Sequence, residues 1–186
     1  MDTASPNELS RGSGIAMPRR WTLWFAVGTM IVLYVVLYWL NRPLVNAVAP
    51  RGIISFELAH TRDTSSAMLA SWDEAARSSA RANLIIDYCF MLAYGSALAL
   101  GCLSTRARTA SRWPLVAQMA RILAAGTVGA AVLDAVENAA LLLQLTDGAS
   151  VALALLAWGC ASAKFTLVLL AIPFALPALW PTRRPA

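Results

Sequence analysis

The chain has 186 residues, of which 59% are hydrophobic and 13% charged, and it carries a formal net charge of +5. That charged fraction is about half the ~25% of a soluble domain, which excludes an ordinary soluble globular protein and implies a membrane protein whose main partner is the lipid bilayer. The cations are spread over the N-terminal segment, one loop and the C-terminal tail, so they read as topology signals and nucleic acid is not expected as a partner.

In chain order, residues 1–20 are polar, rich in Ser, Pro, Gly and Asn, and end in Arg19-Arg20. A disordered cytoplasmic tail is expected there. Residues 21–40 contain no charge and are bracketed by Trp21 and Trp24 at one end and Tyr38 and Trp39 at the other, the aromatic belt of a first transmembrane helix. A signal peptide cleaved at Ala47-Val48-Ala49 is disfavoured, because the apolar stretch is too long and the site too far beyond it.

Residues 41–81 form the longest connection. Met68, Leu69, Trp72, Ala75 and Ala76 recur at helical spacing, and Asp73 precedes Arg77 by one turn. An amphipathic extracytoplasmic helix is therefore expected between the first two spans, lying on the bilayer surface or running into the second. A shorter helical turn is expected near residues 55–63.

Residues 82–103 make the second span, in which Asn83, Asp87, Met91 and Tyr94 fall on one face that should point into a bundle. The following loop holds Arg106, Arg108 and Arg112 with no acid, so it is expected in the cytoplasm. Pro114 suits the first turn of the third helix, whose span covers about 116–145, with Arg121 reaching back to the interface. The turn at 146–150 has no cation and fits the outer side. The fourth span, 151–176, ends among Pro173, Pro177 and Pro181, and Arg183-Arg184 marks a cytoplasmic tail at 181–186.

The fold expected is thus an all-α membrane protein: one domain, 21–180, built as a four-transmembrane-helix bundle with both termini in the cytoplasm. Fourteen Arg against a single Lys, in an Ala-rich chain, fit a GC-rich genome, and the location expected is a bacterial inner (plasma) membrane. Cys89, Cys102 and Cys160 match no metal spacing and are expected to be buried small apolar residues within spans. Gly126-x-x-Gly129 lies within a span and reads as helix packing, so no phosphate loop, metal or cofactor is called for.

The chemistry lies in the charges inside the spans. At ~1.5 Å per residue, Asp87 lies ~8 Å, Glu137 ~12 Å, Asp134 ~16 Å and Lys164 ~20 Å from the outer ends of their helices. Gly126, Ala130, Asp134 and Asn138 are successive i, i+4 positions facing Ala157, Ala161 and Lys164 of the fourth helix. Lys164 is therefore expected to pair with Asp134 or Glu137. Three acids against one Lys leave surplus negative charge, so at least one carboxyl is expected to carry a proton, bind a cation or face water.

The binding or proton-handling cluster expected is Asp87, Asp134, Glu137, Asn138 and Lys164. Tyr94 is a secondary lining residue, and Glu57 and His60 in the first loop are expected to cover the entrance. Glu57-x-x-His60 has the spacing of a di-iron motif, but it has no second copy and His60 is the only His, so it reads as a surface feature. Three functions compete. The first is binding of a proton, cation or small polar solute, extending to transport if a homodimer supplies enough helices. The second is a membrane enzyme acting on a lipid or isoprenoid, favoured by a lateral opening lined by Phe90, Met91 and Trp158. The third is a non-catalytic assembly or stress-response subunit held by a structural ion pair.

Overall fold

The computed structural model describes residues 20–180. Every regular element there is helical: α1 (Arg20–Asn41), α2 (Ile53–Glu57), α3 (Arg62–Ser71), α4 (Glu74–Thr109), α5 (Pro114–Asp147) and α6 (Val151–Ala175), with 3-10 turns at Arg42–Leu44 and Leu176–Leu179. Four of these helices, α1, α4, α5 and α6, are long and apolar enough to cross a membrane. Apart from Arg20, the tails expected at 1–20 and 181–186 lie outside the described residues.

The residues of the first three expected spans lie within α1, α4 and α5 and the fourth passes the end of α6 by one residue, but α4 starts eight residues before Ala82 and continues past Leu103. Its 36 residues rise ~54 Å, well beyond the ~30 Å of a bilayer's hydrocarbon core. The excess at its first end packs against the segment 42–73, which we call the cap.

The bundle is small and polar inside and bulky outside. Along α5 the buried positions are Ala117, Ala120, Ala124, Thr127, Ala130, Asp134, Glu137, Asn138, Leu141 and their neighbours, three or four residues apart. Along α6 they include Ala154, Ala157, Ala161, Lys164, Ala171 and Ala175. Large apolar side chains such as Phe25, Leu115, Val128 and Leu169 point outward. Lipid solvates them as well as a protein core would, so close approach through small residues, not burial of large ones, decides how the helices associate. The tightest crossing is at Gly101, where an added Cβ would lie 2.7 Å from that of Ala175. Cys102 and Cys160 are buried as expected, whereas Cys89, expected to be buried with them, is exposed on α4.

Helices α4, α5 and α6 pack mutually, while α1 packs mainly against α4. Two side chains of α4 hold it there: Asn83 Nδ2 donates to Leu37 O (3.0 Å) and Ser79 Oγ to Leu40 O (2.7 Å).

In the cap, the expected continuous run from Met68 to Ala76 is broken. Trp72 adopts an extended conformation after α3, and Asp73 opens α4, its carboxylate accepting from Ala76 N at 2.8 Å. Asp73 therefore acts as an N-cap in place of the expected pair with Arg77. The Arg77 guanidinium donates instead to Leu69 O (2.6 Å) and Trp72 O (3.2 Å), satisfying carbonyls at the end of α3.

The apolar face of α3 is covered by protein. Met68, Leu69 and Trp72 form one core with Leu44, Ile53 and Phe56 of the cap and Leu84, Leu141 and Leu145 of α4 and α5. Trp72 Nε1 donates to Leu44 O at 2.9 Å, and Asn46 accepts from Val48 N and Ala49 N while donating to Ser71 Oγ. Asn41 Oδ1 accepts from Ile53 N at 2.7 Å and so anchors α2 to the end of α1. Gly52, at φ +61°, makes that turn, and a Cβ there would collide with the Asn41 side chain. The result is a short helix, α2, whose last residue, Glu57, is carried into the bundle.

Candidate functional site

Asp134, Glu137 and Asn138 occupy one turn of α5 and are 2%, 0% and 0% exposed. Asp134 and Glu137 face α6 because their helical rows continue the small-residue seam of Ala130, Ala157 and Ala161, and Asn138 turns to α4. The seam brings Lys164 within reach. Its Nζ lies 2.7 Å from Asp134 Oδ1 and 2.9 Å from Glu137 Oε2, so the expected choice of partner resolves into both. Hydrogen-bond geometry joins Lys164 only to Asp134. Both Glu137 oxygens lack a hydrogen-bond partner, which makes that second contact Coulombic.

Helix α4 adds two further groups from the same face. Tyr94 donates its hydroxyl to Asp134 Oδ2 at 2.8 Å, and Asp87 Oδ2 accepts from Asn138 Nδ2 at 2.7 Å. The five residues expected in the cluster, together with Tyr94, thus fall into two bonded groups, Lys164 with Asp134, Glu137 and Tyr94, and Asp87 with Asn138, that share one turn of α5.

Glu57 is placed more deeply than its expected position at the entrance. It is 7% exposed, and its Oε2 lies 3.6 Å from Lys164 Nζ. Burial raises its pKa above the ordinary 4.5, against the pull of the Lys164 ammonium. The sequence signal for this position was Gly52 followed by Ile53-Ile54-Ser55-Phe56, an apolar turn that a surface loop would not need. His60 diverges from it: His60 is exposed, with its ring centroid 6.2 Å from that of Trp158. Among the described residues no three His, Cys, Asp or Glu side chains are grouped to hold a metal ion.

The cluster opens onto a cavity of about 520 Å³ between α1, α4 and α6, with α2 at one end. Its polar lining is Asn41, Glu57, Asn83, Asp87, Tyr94, Asp134 and Lys164. Glu137 and Asn138 stand behind this wall. Beyond Lys164 the lining is apolar, through Phe165, Val168 and Ile172 on α6 and Met30, Val27 and Leu23 on α1. Tyr34 and Tyr38 line the same space while 60% and 57% exposed, so the cavity is open along α1. The lateral lining expected from Phe90, Met91 and Trp158 is met only by Phe90. Met91 faces a second groove between α4 and α5, and Trp158 lies outside both.

Three carboxyls, Glu57, Asp134 and Glu137, therefore share one ammonium, and a fourth, Asp87, bonds the Asn138 amide and lines the same cavity. Burying a charge without a partner costs several kcal/mol, roughly, after relaxation, so the surplus must be met by protons, by a bound cation or by water in the cavity. The arrangement can exchange protons, hold a cation, or present a carboxyl to a reacting group.

Compared with known proteins, the chain matches no family model, no curated protein and no solved structure.

Proposed function

We propose that the protein is a multi-pass protein of a bacterial inner membrane, both termini cytoplasmic, that binds a proton, a cation or a small polar group at the Glu57–Asp87–Asp134–Lys164 face of its cavity. The observation that carries the reading is that carboxyls in excess of the single ammonium line an open cavity. A purely structural ion pair would need neither the excess nor the space. The orientation is supported by the charge pattern of the sequence: nine of fourteen Arg precede the first span, follow the second span up to Arg121, or follow the fourth, and five lie in the connection 41–81, the bias of the positive-inside rule. Transport would require a second copy of the chain, since four helices are few for alternating access.

A second reading, a membrane enzyme using these carboxyls as general acid and base on a lipid or isoprenoid, is favoured by the apolar part of the cavity and its open side beside Phe90.

Infrared titration of the purified protein in phosphatidylcholine nanodiscs tests the binding role. Carboxyl-stretch signals that respond to pH or to added methylammonium, and that diminish in Asp87→Asn, are the expected result. Carboxyl signals that answer to neither would remove it.

A further inference from the structure

The cavity is acidic toward the cap and apolar toward the other end. At the acidic end Asp87 bonds Asn138 through Oδ2, and its other oxygen has no partner among the described residues. Behind Lys164, Glu137 Oε1 is likewise unpartnered and fully buried. The apolar arm follows α6 from Lys164 to Leu176, a rise of ~18 Å. That is close to the ~15 Å depth of one leaflet, half the ~30 Å hydrocarbon core. Met30, Val27 and Leu23 form the facing wall, and the exposed Tyr34 and Tyr38 mark the side where α1 leaves the space open to the bilayer.

We infer that this cavity binds a single-chain amphiphile with a cationic amine head, the head against Asp87 and the chain along the α1–α6 channel, entering sideways from the membrane. The inference rests on the binding role proposed above and adds the class of ligand. Charge complementarity selects the head: an amine offsets surplus carboxylate, a neutral head leaves it, and an anionic head adds to it. Shape selects the chain. A small hydrophilic cation would leave the apolar arm unfilled, and about 520 Å³ lies within the ~300–1,000 Å³ of sites for one small molecule.

The test is native mass spectrometry of the protein in phosphatidylcholine nanodiscs titrated with dodecylamine, dodecanol or dodecanoate. Dodecylamine is expected to saturate at one molecule per chain, with the alcohol and the carboxylate weaker by about tenfold or more, and Asp87→Asn is expected to cost dodecylamine about tenfold. Val168→Trp fills the apolar arm and leaves every carboxyl in place. It is expected to abolish saturable dodecylamine binding while the infrared response to methylammonium persists. Equal binding of dodecanol, full dodecylamine affinity in Val168→Trp, or no saturable binding by the wild type would each overturn the proposal. In those cases a surviving methylammonium response leaves the binding role standing, and its loss removes both.

Discussion

The α5–α6 seam and the α1–α6 gap lie on two sides of one helix and differ in the size of the side chains that meet there. Across the seam, Ala130, Ala157 and Ala161 are fully buried, and the backbones come close enough for Lys164 to reach two carboxylates of α5. Across the gap, α1 presents Leu, Val, Met and Tyr, and of its 22 residues only Leu23 and Ala26 are buried. Helices with small faces close in a bilayer and those with large faces do not, because lipid offers large apolar groups nearly as good a surrounding as protein. The closed seam holds the charges in register, and the unclosed gap supplies the space they face.

Removing the cation attacks the seam most directly. Lys164→Met leaves Asp134, Glu137 and Glu57 without their ammonium and is expected to cost ~3–5 kcal/mol, as breaking a buried pair from one side does. Unfolding in detergent measures it, and adding Glu137→Gln to the same chain should restore part of the loss. A single variant as stable as the wild type would show that the seam does not depend on its charges.

Overfilling comes next. Gly101→Ala puts a Cβ 2.7 Å from that of Ala175 and is expected to cost ~1–3 kcal/mol through overpacking. Gly28→Ala on α1, where a Cβ meets nothing within 4 Å, is expected to be neutral or to gain ~0.5–1 kcal/mol of helix propensity. Equal effects at the two glycines would erase the difference between a close crossing, here α4 on α6, and the open side of α1.

Loosening α1 is a smaller change. Asn83→Ala removes the bond to Leu37 O and is expected to cost about 1 kcal/mol. Hydrogen exchange in α1 should rise while that of α5 is unchanged; a rise spread evenly over both would contradict the separate attachment of α1.

The smallest effect expected is a pH dependence at Glu57. Burial raises its folded pKa above 4.5, so its contribution to stability is complete below that value and is lost as pH rises through the folded pKa. The melting temperature of Glu57→Gln should therefore gain on the wild type with rising pH. A constant difference would place Glu57 in contact with water.

Much of this architecture was legible in the residue pattern. Four apolar blocks of spanning length, the row from Gly126 to Asn138 and the lone Lys164 identify four helices and a shared polar face, since helical periodicity places i and i+4 on one side whatever the neighbours are. Asp87 and Tyr94 were legible for the same reason. The cap was less so: Met68, Leu69 and Trp72 announce an apolar face, but the same periodicity serves a helix lying on lipid and a helix packed on the bundle. Asp73 and Arg77, one turn apart, suit an ion pair as well as they suit capping either side of a break.

The sequence by itself determined the helical class, the long apolar helices and the residues able to carry charge within them, because those follow from local period and from the cost of exposing backbone to lipid. Only the tertiary structure decided that Glu57 joins Lys164, that Lys164 holds Asp134 and Glu137 together, and that a cavity lies beside α1. These depend on the turn at Gly52 and on the distances between helices, which arise from contacts far apart in the chain. The surplus of negative charge was readable from residue types, but its position against an open, half-apolar space came from which helices could close and which could not.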